Sequence, residues 1–166
     1  MERIASSIES YRRKPEGHAP HLMSSLSGPA LAGEVARAWN GVDVPADAIA
    51  LWNVCRRAHL FEDTDHRASG LVLLDPKTSA RRTAENVQTD SRFADDDLVI
   101  GEFLNSQELV IIAPSETGRR RIMIALAVVD RESWFGAGTD LADFLEAYFC
   151  AGGESYWDED EDEDED

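Results

Sequence analysis

A chain of 166 residues, 43% hydrophobic and 8% aromatic, has material for one domain with a single core, and none of its apolar runs approaches the roughly eighteen residues of a membrane span. Its formal net charge is −17, and without the unbroken acidic run Asp158–Asp166 it is still −8. Nucleic acid and anionic membranes both require a neutralising basic surface, so this balance argues against them and favours a basic protein partner.

The N-terminal MERIASSIESYRRK lacks the uninterrupted apolar core of a signal peptide, and Ile4, Ile8 and Tyr11 share one face of a short amphipathic helix over Met1–Arg13. Lys14–Gly28, with Pro15, Pro20, two histidines and several serines, reads as a linker or loop. Residues 1–28 are therefore set apart from a main domain at 29–153, and 154–166 form an acidic tail. Leu31, Val35, Ala38 and Trp39 repeat at helical spacing, predicting a helix over 29–40 with Asn40-Gly41 as a left-handed stop.

The stretch Asn40–Phe61 is the centre of the reading. Pro45 suits a first helical position, Asp47 the positive end of the dipole, and Arg56 and Arg57 the negative end. Leu51, Trp52, Val54, Cys55 and Ala58 form a broad apolar stripe, so a helix is predicted over 45–58, with Leu60-Phe61 starting an extended segment. Phe61–Ser69 is polar and turn-like, and Leu71–Leu74 is a strand ended by Asp75-Pro76. Lys77–Asp97, with Phe93 its sole large apolar residue, reads as a long loop holding at most a helical turn.

Leu98–Leu104 and Gln107–Ala113 flank Asn105-Ser106 as a hairpin, Pro114–Gly118 turns the chain, and Ile122–Val129 is apolar on both faces. A central meander over about 98–129 follows, in a sheet covered on both sides. Trp134-Phe135-Gly136 leads into the clearest helix, 139–150, where Leu141, Phe144, Leu145, Tyr148 and Phe149 share a face. Thr139 or Asp140 caps it and Gly152-Gly153 ends it. Beyond Trp157 the tail has no apolar area to offset its ordering entropy and is expected to be disordered. The predicted class is α+β: a mostly antiparallel sheet packed by helices.

Reaction chemistry is sparse. Cys55 and Cys150, 95 positions apart, read as buried thiols of a reducing compartment, which points to the cytoplasm. Cys55 and His59 are four apart, a helical spacing that suits a metal or a thiolate pair, but no second pair completes a site. His18 and His21 have no carboxylate beside them. Glu102 interrupts an apolar strand, either as a buried acid or facing solvent at an edge. Asp95-Asp96-Asp97 lacks the glycine and ligand spacing of a calcium loop and reads as a solvated turn. Arg119-Arg120-Arg121 is too small for a nucleic-acid footprint and suits local salt bridges. Trp134-Phe135 fits an exposed aromatic anchor or core packing equally well. No catalytic group, metal or cofactor is assigned.

The order of elements resembles the head of the SUKH superfamily, the cell-wall-assembly-regulator-like proteins, many of them bacterial immunity proteins. The likeness lies in Val44-Pro45-Ala46-Asp47 before an apolar helix, in Asp97–Phe103 (DLVIGEF) and in Asp140–Phe149 (DLADFLEAYF), and spans roughly Pro29–Phe149. Val44 stands where leucine is usual, and Arg57-Ala58-His59 replaces an asparagine-glycine. The resemblance implies helices packed on an antiparallel sheet and an activity of binding: neutralising a cognate toxin, a nuclease or similar, by covering its active site. The contact residues expected for a basic toxin domain are Glu62, Asp63, Asp65, Asp95, Asp96, Glu102 and Trp134. The alternative is a regulatory or scaffolding module for an endogenous partner. The tail serves solubility or recruitment.

Overall fold

A computed structural model describes residues 1–13, 19–66 and 69–161, with side chains through 158. Seven strands lie side by side in the order in which the chain makes them, each antiparallel to its neighbours. They are β1 (Leu22–Leu26), β2 (Ala58–Asp63), β3 (Leu71–Leu73), β4 (Leu98–Phe103), β5 (Leu109–Pro114), β6 (Arg120–Ala125) and β7 (Phe135–Gly138). The helices are α1 (Glu2–Arg12), α2 (Glu34–Ala38), α3 (Ala46–Trp52), α4 (Pro76–Thr89) and α5 (Leu141–Cys150). The class is α+β, and the 98–129 meander is the middle of a longer one. No helix among the described residues is long and apolar enough to cross a membrane.

The sheet buries both faces because its central strands are apolar at every position. On β5, Val110 and Ile112 join a core built with α1, α3 and α5, while Leu109, Ile111 and Ala113 join a second core on the opposite side. β6 divides the same way, Ile122 and Ile124 against Met123 and Ala125. The first core includes Ile4, Ile8 and Tyr11 of α1, and the Tyr11 hydroxyl donates to the Leu145 carbonyl on α5 at 2.5 Å. The N-terminal helix thus shares the main core rather than standing apart, and Leu22–Leu26 is an edge strand where a linker was expected.

Several boundaries differ from the sequence reading. The 29–40 helix shrinks to Glu34–Ala38, because Gly33 takes a left-handed φ of +76° and Leu31 remains 72% exposed. The 45–58 helix ends at Trp52, with Pro45 as its N-cap, and Ala58 already belongs to β2. Arg56 and Arg57 therefore make tertiary ion pairs, to Glu34 at 2.6 Å and Asp75 at 3.1 Å, rather than serving a dipole. Asp47 bonds outside its own helix, accepting the Leu141 N–H that opens α5 at 2.8 Å. β6 stops at Ala125, and Phe135–Gly138 is a strand. Beyond Trp157, where disorder was expected, Tyr156–Glu161 forms a 3₁₀ segment, and Trp157 packs its ring 5.0 Å from that of Phe103. The rest of the expected disorder, 162–166, and the 14–18 part of the linker lie outside the described residues.

The largest correction is α4, a fourteen-residue helix where a long loop was expected. Asp75 caps it, accepting from the Thr78 N–H at 3.0 Å and the Thr78 hydroxyl at 2.8 Å, and Pro76 follows at the first helical position. Its inward face is polar. β3 ends at Leu73, and beyond that end Val99 of β4 is met by Ser79, whose hydroxyl donates to the Val99 carbonyl, and by Thr83, whose hydroxyl accepts the Val99 N–H at 2.9 Å.

Burial pushes the Asp75 carboxyl up, but the Thr78 and Arg57 bonds outweigh it and hold the group below its ordinary value. A depressed folded-state value means the stabilisation is complete above about pH 4, the unfolded value, and is lost as the pH falls through the folded one. Asp75→Ala should cost about 1–2 kcal/mol at pH 7 in urea unfolding, and the deficit relative to the parent chain should shrink in acid below about pH 4.

Candidate functional site

The seven residues singled out from the sequence do not converge on one patch. Glu62 and Asp63 are half-buried on β2 beside the edge strand, and Asp65 is exposed in the turn that follows. Glu62 lies 3.2 Å from His59 Nδ1. Asp63 accepts the His66 and Asp65 backbone N–H groups, which hold its carboxyl below the usual range. Glu102 is on an interior strand, not an edge, and pairs with Arg82 at 3.1 Å. Trp134 is 5% exposed, which removes it as an exposed anchor. Its ring centroid lies 5.1 Å from that of Phe93 and 5.6 and 5.1 Å from the guanidinium carbons of Arg92 and Arg131.

The triple aspartate is not a uniform solvated turn. Asp97 is buried and takes both guanidinium nitrogens of Arg131, at 2.5 and 2.9 Å, as well as the Ala94 N–H. Asp95 and Asp96 are exposed. The basic triplet makes no ion pair among the described residues; Arg120 instead donates to the Asp96 carbonyl. Cys55 and His59 share no helical face, because His59 belongs to β2. The Cys55 thiol is buried and donates to the Arg57 carbonyl at 3.2 Å, whereas Cys150, expected to be buried, is exposed. No cluster of three or more His, Cys, Asp or Glu among the described residues is arranged to hold a metal ion.

Among the recesses of the described residues, two flank α4, one on each side. Arg82 and Asn86, four apart along the helix, and Asp90 just past its end line a polar cleft of about 350 Å³ facing Glu102 and Arg92. Its charges are mutually satisfied, Arg82 with Glu102 and Arg92 with Asp90 at 2.7 Å. On the other side, Ala84 and Val87 form one wall of a groove of about 360 Å³, and Trp39, Val42 and Pro45 form the other. Asp43, Asp95 and Asp96 also line this groove, all three exposed and without an ion pair among the described residues. Val42 at its mouth is 58% exposed. Of the sequence candidates only Asp95 and Asp96 reach it. Asp43 and Trp39 were missed as site residues, although the Gly41-Val42-Asp43 loop places an exposed apolar residue beside an acid.

Compared with known proteins, the chain matches no family model and no curated sequence.

Burial raises the Cys55 thiol above its ordinary value, ahead of the opposing Ser27 and Arg57 bonds. The thiolate is therefore scarce at neutral pH. Labelling with iodoacetamide at pH 7.5 should leave Cys55 at least tenfold slower than free cysteine, with Cys150 reacting first; peptide mapping over time reads both rates.

Proposed function

We propose that this chain is a non-enzymatic, cytoplasmic protein-binding module that neutralises a basic protein partner, a toxin domain in the manner implied by its resemblance to the SUKH superfamily. The carrying observation is how the charges are distributed. Arg3, Arg56, Arg57, Arg82, Arg92 and Arg131 each face a carboxylate of the same chain within 4 Å. These six cations are thus neutralised internally, Arg119, Arg120 and Arg121 are not, and the carboxylates of Asp43, Asp65, Asp95 and Asp96 remain exposed and without an ion pair among the described residues. The sequence adds nine consecutive acids at the C-terminus. Such a surface repels nucleic acid and anionic lipid and accelerates encounter with a cationic protein. A complex of standard size, roughly 1,600 Å² in total, would cover the partner's functional cleft sterically, with no bond-making by this chain.

Affinity capture from the native host with the purified full chain tests this reading. The expected partner is a basic protein whose activity falls stoichiometrically on complex formation; an acidic partner, or a basic one whose activity is unchanged, overturns it. Removing residues 158–166 should lower the association rate several-fold at low salt and flatten its salt dependence, leaving dissociation unchanged in stopped-flow kinetics. Unchanged association would make the run a solubility device.

A further inference from the structure

We propose that the groove between α4 and the α2–α3 connection is the docking site for a basic segment of the partner, taking one large apolar side chain flanked by arginine or lysine. This deepens the reading above and rests on it for the partner being a protein. The groove has an apolar wall on each side, from Trp39, Val42 and Pro45 across to Ala84 and Val87. Its volume of about 360 Å³ lies at the lower end of the roughly 300–1,000 Å³ of ligand pockets, which suits an inserted side chain better than an extended ligand.

The carboxylates decide the chemistry of the occupant. Asp43 stands on the α2–α3 connection, and Asp95 and Asp96 precede β4, so acids from two separate parts of the chain line one apolar opening. No internal cation pairs with their carboxylates within 4 Å: Arg120 bonds only the Asp96 main chain, and Arg131, which feels the Asp96 charge, is bonded to Asp97 beneath. The polar cleft on the far side of α4 differs in this respect, because each of its carboxylates already has an arginine. A purely apolar occupant would desolvate these acids without compensation, whereas a flanking guanidinium or ammonium pairs with them. An anchor that fills a pocket inside a charged rim is also the usual arrangement of a binding hot spot.

The test uses the full chain and a capped synthetic peptide carrying one Trp between two Arg-Arg pairs, with controls replacing Arg by Gln or Trp by Ser. Binding is read by calorimetry and by amide shifts. The expected result is shifts at Val42, Asp43, Ala84, Val87, Asp95 and Asp96, with affinity falling at least tenfold for either control peptide. Affinity should fall at least tenfold for the combined Asp43→Asn, Asp95→Asn and Asp96→Asn variant, whose three positions are exposed, and for Ala84→Arg, which places a cation in the groove. Absence of binding overturns the proposal, as does binding that ignores Ala84→Arg or the loss of Trp, which marks attraction to the acidic tail alone. The captured partner separates the two levels. If Ala84→Arg binds it as the parent chain does, the groove is not the docking site and the neutralising reading stands. If no basic protein is captured while the peptide binds as described, the groove stands and the neutralising reading falls.

Discussion

The Asp75-Pro76 junction is the constraint on which the rest of the molecule turns. At Leu74 the chain leaves a strand whose residues are buried on both faces, and within two residues it is in a helix on the second face. Asp75 makes that change of direction possible by receiving the Thr78 N–H and the Arg57 guanidinium at once. Trp52 closes the same corner from the other face, its indole N–H donating to the Leu74 carbonyl at 2.9 Å. Polar groups that a prematurely ended strand would leave unpaired are thus met from both sides of the sheet.

The helix that follows shows that a sheet face can be covered without a large apolar stripe. Ser79 and Thr83 approach Val99 closely because their side chains are small, and they exchange hydrogen bonds with its main chain where longer residues would hold the helix away. Larger apolar groups on this face come instead from Phe93 and Trp134. The segment carrying Trp134 is tied down by two arginines: Arg92 donates to the carbonyls of Leu126, Ala127 and Val129, and Arg131 reaches back to buried Asp97. Without Arg131, Asp97 would be an uncompensated buried charge, a cost of order 3–5 kcal/mol.

These internal pairings also shape the outer surface. An acidic chain that sets most of its described arginines against its own carboxylates keeps little unpaired positive charge, Arg119-Arg120-Arg121 being its one cluster among the described residues, while acids such as Asp43, Asp95 and Asp96 face outward. α4 then acts as a ridge between a recess whose charges are balanced and one whose charges are not. The proposed binding role follows from that asymmetry rather than from any single residue.

The antiparallel α+β class, the 98–129 meander, α1 and α5 were all legible in the sequence, because each rests on a local pattern: alternation with apolar residues on both faces, or an apolar stripe at helical period. Asp140 and Gly152 were legible as helix punctuation for the same reason, and both act so, Asp140 accepting the Asp143 N–H and Gly152 taking a φ of +65°. The 45–58 helix was over-read because periodicity continues through Arg56, Arg57 and Ala58 whether or not the backbone does, and it is the pairing of Ala58 with Leu73 that makes it a strand. α4 was missed for the converse reason, its buried face being hydroxylic, although Asp75-Pro76 and its run of alanines and arginines are helical signals. For the candidate site, local sequence identified Asp95 and Asp96 as outward acids, but only tertiary structure brought Asp43 and Trp39 to them across α4. Composition alone determines that this chain is acidic and carries one domain's worth of core. Which acids remain unpaired, and which surround an apolar opening, is decided by contacts between residues far apart in the chain, and no local pattern encodes those.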